Sequence, residues 1–222
     1  LSVKLHACGD RSARYALDYI ETAINKYGKN ECRHAIEHLE LVDDADFDRI
    51  REFGVIPSVQ PEHLALTQTF AANPYPEVLG KKRADKTFPY RSLYKAAGVL
   101  AIGSDCPVVD NHPFLEIYRA VTRVHNDHMP EGGWAPSEKL TLSEVLRFYT
   151  YGSAYGCLRE DEMGTLSEGK FADIAVICAI LWLNLDGLSK ILGFIWLAIG
   201  FVALAISTKF FRELPPEMHL DE

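Results

Sequence analysis

Four short apolar runs alternate with segments of helical spacing through the first 155 residues, and that alternation limits what such a chain can fold into. The runs are 3–7, 35–42, 55–60 and 99–102. After the first, Ala13, Ala16, Leu17, Ile20, Ala23 and Ile24 recur at helical spacing before Gly28. Asp43 and Asp44 stand where they would cap a helix carrying Phe47, Ile50 and Phe53, with Gly54 as its stop. Residues 91–97 read as a short helix ended by Gly98, and 114–124 as another. Thr141-Leu-Ser-Glu144 has the form of a capping box opening a helix to about Tyr151. Strands alternating with helices imply an α/β fold with a parallel sheet. Four such units are half of a closed eight-fold barrel, so the pattern leaves a small open sheet or the second half of a barrel.

The ends of the strands carry the chemistry. Val99-Leu-Ala-Ile-Gly-Ser-Asp-Cys106 is an apolar run that breaks into a loop at Asp105. In parallel α/β barrels the carboxyl ends of the strands hold the reacting groups. Asp105 there can bind a metal or accept a proton from water; the bland alternative is a turn or capping residue. His6 and His38 end two other runs. Each histidine taken alone is more often structural. Together with Asp105 at one rim, they make a donor set that suits zinc and similar divalent metals. Such an ion lowers the pKa of a coordinated water from near 16 to about 7.

Other residues can be placed around that rim. His63 follows Gln60-Pro61-Glu62 and is a candidate for contact with substrate or metal, or a plain loop histidine. Arg91 can clamp a substrate carboxylate or pair with a surface acid. Asp10 reads as a helix cap, with a hydrogen bond to a ligand histidine as the sharper option. Cys8 shares a strand face with His6 and reads as packing before it reads as a ligand. Glu37 points away from His38. His112, His125 and His128 read as surface histidines, and Trp134 as part of a loop that could cover a substrate.

The net charge of −8, with no basic stripe, argues against a nucleic-acid partner. Five scattered cysteines without a C-x-x-C pair read as reduced thiols. The chain opens at Leu1 almost directly into a strand, so an N-terminal portion is expected to lie upstream.

Beyond residue 177 the character changes. Residues 174–185 are almost wholly apolar, and 191–207 carry no charge, with Lys190 and Lys209 as flanks. About 17 residues is the lower limit for a helix crossing a bilayer. Residues 191–208 therefore read as a single membrane pass, with the preceding domain on the cytoplasmic side. The alternatives are a buried helix, or an artefactual join near Cys178 that leaves a cytoplasmic protein. The expected organisation is a catalytic-type domain over 1–177, a hydrophobic segment over 178–209 and a polar tail over 210–222.

A series of motifs carries a resemblance. These are His6-Ala-Cys-Gly-Asp-Arg11, Arg33-His-Ala-Ile-Glu-His38, Ser58-Val-Gln-Pro-Glu-His63, Pro89-Tyr-Arg-Ser-Leu93, Gly103-Ser-Asp105 and Gly164-Thr-Leu-Ser-Glu-Gly-Lys-Phe-Ala-Asp173. In this order and spacing, residues 3–177 resemble the C-terminal part of the amidohydrolase superfamily, in its YtcJ-like, family 3 branch. The resemblance implies the C-terminal half of a TIM (β/α)8 barrel, with a β-sandwich strand beginning over 171–177. It implies a divalent metal, zinc first, held by His6, His38 and Asp105, with Asp105 as the catalytic base. The implied substrate is a small molecule with an amide-type C–N bond; the residues read as candidates to border it are His63 and Arg91. The His-x-His pair of the family's first strand is absent, so the implied partner is the missing N-terminal half or a second copy. The competing expectation is a non-catalytic, membrane-tethered scaffold derived from a hydrolase.

Overall fold

The strands β1 (Lys4–Ala7), β2 (Ala35–His38), β3 (Ile56–Val59) and β4 (Ala101–Ile102) form one sheet in the computed structural model. The structure describes residues 1–29, 32–171 and 186–207. Every neighbouring pair is parallel, and the order is β1-β2-β3-β4. Parallel strands are covered on both faces, which is why Ile36, Ile56 and Val59 are all buried. Two compact units divide the chain, Leu1–Lys170 and Phe171–Glu222.

Helices fill the connections. Helix α1 (Asp10–Tyr27) buries Ala13, Ala16, Leu17 and Ile20, the stripe that the spacing predicts. Gly9 is its N-cap, so Asp10 lies inside the first turn and pairs with Arg83 at 2.6 Å. Asp43 caps the short turn that leads into α2 (Phe47–Phe53), and Gly54 ends that helix in the left-handed conformation. Asp46 is buried and accepts from both Arg14 and Arg49, tying α1 to α2. The expected loop after β3 contains α3 (Tyr75–Leu79) and α4 (Lys81–Ala84) before α5 (Tyr90–Ala97). After β4 come α6 (Pro113–Thr122), α7 (Leu142–Arg147) and α8 (Ser153–Gly156). The capping box at Thr141 and Glu144 forms with both reciprocal bonds.

The second run ends sooner than its apolar content suggests. β2 stops at His38, because His38 (φ 74°) and Leu39 (φ 49°) turn left-handed. The main chain nevertheless stays beside β1, with Leu39 N–H donating to Ala7 O at 3.0 Å and Leu41 N–H to Cys8 O at 2.9 Å.

A wide π turn, Phe148–Gly152, lies between α7 and α8 and lets the chain approach β4 closely. A Cβ on Gly152 would lie 2.0 Å from the Leu100 carbonyl oxygen, which is backbone and cannot swing aside. Gly152→Ala is therefore expected to cost about 2 kcal/mol, read as a lower unfolding midpoint. An unchanged midpoint would mean that this contact does not exist in solution.

In the second unit, α9 (Gly187–Ser207) begins beside Asp186, whose carboxylate accepts from Ser189 N–H at 3.0 Å. Residues Gly187–Ile206 are long and apolar enough to cross a membrane, and few of their side chains are buried. The expected strand at 171–177, the join near Cys178 and the tail at 210–222 fall on residues outside those described, save Phe171.

Candidate metal centre

Strand register alone would keep the first two histidines apart. His6 is aligned with Glu37, and Ala7 with His38. The left-handed turn at His38 ends that pleat, and the two rings meet edge to face at 4.4 Å. His38 Nε2 lies 2.8 Å from His6 Nδ1. Two imidazole nitrogens at that distance share one proton or face one cation.

His63 joins them from the turn after β3, its ring stacked 5.5 Å from that of His38. Asp105 arrives from the loop after β4, also left-handed (φ 61°), a conformation Asp tolerates better than most residues. Its Oδ2 is 3.8 Å from His63 Nε2. Left-handed non-glycine residues at His38, Leu39 and Asp105 store strain that persists only where the surroundings enforce it.

Two ligand-bearing groups result among the described residues. One is His6, Cys8 and His38; the other is His38, His63 and Asp105, with the donor atoms of each within 4.8 Å of one another. The expected set of His6, His38 and Asp105 is thus spread over two overlapping groups that share His38. Buried His38 Nδ1 and His63 Nε2 have no hydrogen-bond partner, though both side chains are more than nine-tenths buried. Buried polar atoms are almost always satisfied. Two nitrogen-bearing rings with open atoms beside a carboxylate are the donor set a divalent cation needs, so the residues present fit a metal.

The surroundings favour neutral imidazole. Burial pushes the His38 pKa down, and the neighbouring His6 and His63 push the same way. Cys8 Sγ lies 3.5 Å from His6 Nε2, and burial followed by Glu40 and Asp105 raises its thiol to about 11. Behind His63 sits a pair that the sequence did not reveal. Glu40 Oε1 is 3.3 Å from His63 Nδ1, and the hydroxyl of Tyr75 donates to Glu40 Oε2. A carboxylate two residues past a candidate ligand histidine was a usable signal for Glu40. Tyr75 gave none, since its contact depends on how residues 61–90 fold back.

Other candidates are placed away from this chemistry. The guanidinium of Arg91 donates to Glu144 and to the Lys139 carbonyl, and Glu144 is held down to about 2 by that pairing. Of the two roles expected for Arg91, the structure shows the pairing with an acid, and its donors join α5 to α7. Glu37 is held by Lys4 and Gln60. His112 and His128 are exposed, but His125 is fully buried beside Phe70 and Trp134, against the surface role expected for it. Trp134 is itself buried among Phe70, Tyr75 and Phe88, and so packs rather than covers a substrate.

Glu116 is fully buried below the His63 turn and accepts from Glu62 N–H at 2.8 Å. Burial lifts its pKa from 4.5 to about 7, partly offset by that N–H. An acid raised in the native state keeps its proton while the unfolded chain loses it. Stability therefore falls as pH rises from about 4.5 to about 7 and is flat above. Glu116→Gln should flatten this slope and add about 3 kcal/mol at pH 8, with no gain at pH 4. Melting temperatures at the two pH values measure it; an equal change at both would contradict a titrating Glu116.

The chain matches the amidohydrolase family over residues 1–181. It is similar to Protein LONG AFTER FAR-RED 3 of Arabidopsis thaliana, 32% identical over 82% of this chain and 30% of that protein. It is also similar to the putative amidohydrolase YtcJ of Bacillus subtilis (strain 168), 29% identical over 80% of this chain and 32% of the relative. Among solved structures, an uncharacterized metal-dependent hydrolase from Pyrococcus furiosus superposes with a TM-score of 0.62. It is 31% identical, and the match covers 78% of this chain and 32% of that one. The chain thus spans about a third of the length of the curated relatives it matches.

Proposed function

The chain belongs to the amidohydrolase family, and we propose from that premise that it is the metal-binding part of a hydrolase that cleaves an amide-type C–N bond of a small molecule. The observation that carries the reading is the meeting of His6, His38, His63 and Asp105 at the ends of parallel strands and the turns beyond them. The sequential all-parallel order supports reading these four βα units as the C-terminal half of a (β/α)8 barrel. The edges at β1 and β4 are then seats for the remaining strands, from an N-terminal half or a second copy.

His6, His38 and Asp105 would hold a divalent metal, with zinc the first candidate. When bound, such an ion supplies an acidified water and a polarised carbonyl. The protein's own part is proton transfer and orientation. Asp105, the most exposed member of the buried group, takes a proton from the attacking water at a carboxylate oxygen. As the new C–O bond forms and the C–N bond breaks, it returns that proton to the leaving nitrogen. His63 borders the same space from the side of Glu40.

A second reading rests on α9. A helix able to cross a membrane would tether the barrel part to a bilayer, and a tethered scaffold needs no turnover. The test is an assay of the full chain in detergent with zinc against a panel of N-acyl and formyl amides. The enzyme reading expects zinc-dependent amine release that a chelator abolishes. No release in any member, with the chain co-floating on vesicles, would leave the scaffold reading.

A further inference from the structure

We propose that residues 124–129 are a latch on the loop that leaves the His63 turn, and that His125 is the acid-sensitive trigger of its release. Three bonds cross the gap between the two segments. Asn126 N–H donates to Gln68 O at 2.9 Å, the Asn126 side-chain amide donates to Gln68 Oε1, and Phe70 N–H donates to Asp127 Oδ2 at 3.1 Å. The two bonds made by side chains are exposed, so water competes for them. Gln68 (φ 65°) and His128 (φ 60°) are left-handed, one on each side, a conformation that the surroundings must enforce. Under these bonds His125 is fully buried, edge-on to Phe70 with ring centroids 5.4 Å apart and stacked on Trp134 at 6.2 Å. Neither of its ring nitrogens has a hydrogen-bond partner among the described residues.

A neutral imidazole in that seat leaves one donor and one acceptor unsatisfied; an imidazolium leaves two donors and a charge. Two charged groups face the ring, Arg119 from α6 and Asp127 from the latch itself. Arg119 is anchored by Glu62, the Val124 carbonyl and the Asn126 side chain, and it repels a protonated ring. Asp127 attracts one, but its two oxygens already accept from Phe70 N–H and Met129 N–H. Phe70 and Trp134 bring no charge. Burial comes first and lowers the His125 pKa, and the Met129 main chain and Asp127 offset it without reaching hydrogen-bond geometry at the ring. The closed latch therefore holds His125 neutral, and the open one takes up a proton below the ordinary histidine value of about 6.5. Closure is fully favoured above that value and weakens as pH falls below it. Release frees Phe70 and Trp134, and with Trp134 the ring of Tyr75, whose hydroxyl holds Glu40 beside His63. The consequence for turnover rests on the hydrolase reading above; the latch itself does not.

Hydrogen–deuterium exchange of the full chain in detergent at pH 8 and pH 5, each corrected for the intrinsic amide rate, tests the latch. Amides in 66–72 and 124–129 are expected to open about 30-fold more at pH 5, the ratio set by an open-state histidine of about 6.5. Those of β1 to β3 stay protected at both. His125→Phe should erase the pH dependence, and His125→Leu replaces it if the larger ring unfolds the loop. Asn126→Ala should raise exchange at both pH values and keep their ratio. Equal protection at the two pH values in the wild type, or a loss that spreads to β1 to β3, would overturn the latch. A ratio kept in the folded His125 variant would overturn His125 as its trigger. Opening seen by exchange in a chain that hydrolyses no amide at either pH supports the latch and removes the hydrolase reading.

Discussion

Arg123→Met is expected to destabilise the first unit by about 3–5 kcal/mol, enough to take much of a domain's usual 5–15 kcal/mol. Arg123 is fully buried, and burial lowers its pKa to about 10, which still leaves it charged at neutral pH. Its guanidinium donates to three main-chain carbonyls: Phe88 O at 2.9 Å, Thr87 O at 3.0 Å and Trp134 O. It also lies over the Tyr90 ring at 5.3 Å. These contacts fasten residues 87–90 to the turn at 134, so one side chain closes the loop region after β4 onto the segment leading into α5. Methionine fills similar volume but leaves three buried acceptors unpaired, each costing about 1–3 kcal/mol. Relief from burying a charge offsets part of that. Urea unfolding measures it, as a lower midpoint at unchanged slope. A change under about 0.5 kcal/mol would show that water reaches these carbonyls.

Asp105→Asn is expected to lower metal-dependent hydrolysis by about 10²–10⁴-fold, the usual contribution of a positioned proton carrier, while the melting temperature stays close to wild type. Asparagine is the informative replacement because it also tolerates the left-handed backbone that Asp105 adopts, whereas alanine would add strain. It keeps the shape and loses the charge, the proton site and an anionic metal ligand, so metal content is measured beside the rate. Initial rates on whichever amide the chain cleaves, beside a thermal melt, separate the two effects. Wild-type rates in Asp105→Asn would remove Asp105 from the chemistry.

The strand ends were legible because period and punctuation agree there: an apolar run, then a histidine or aspartate, then a loop. His6, His38 and Asp105 were found on that signal, and the parallel order followed from the alternation with helices. β2 was overextended because Leu39, Leu41 and Val42 are apolar, and composition does not record a left-handed φ. The acid that pairs with Arg91 could not be named, because Glu144 is 53 residues away and was legible only as part of a capping box. His125 and Arg123 run against the rule that polar side chains lie outside. Arg123 is buried because carbonyls satisfy it, and carbonyls leave no mark on a sequence. Glu40 and Tyr75 meet across 35 positions through a loop whose path no periodicity describes.

The central claim is that this chain holds a metal, and metal content by mass spectrometry tests it most directly. The purified full chain is measured beside a His6→Ala/His38→Ala double variant, which removes one histidine from the His6 group and the one both groups share. About one divalent metal per chain, lost in the double variant while its circular dichroism is retained, is the predicted result. Metal absent from both, or equally present in both, would contradict the account.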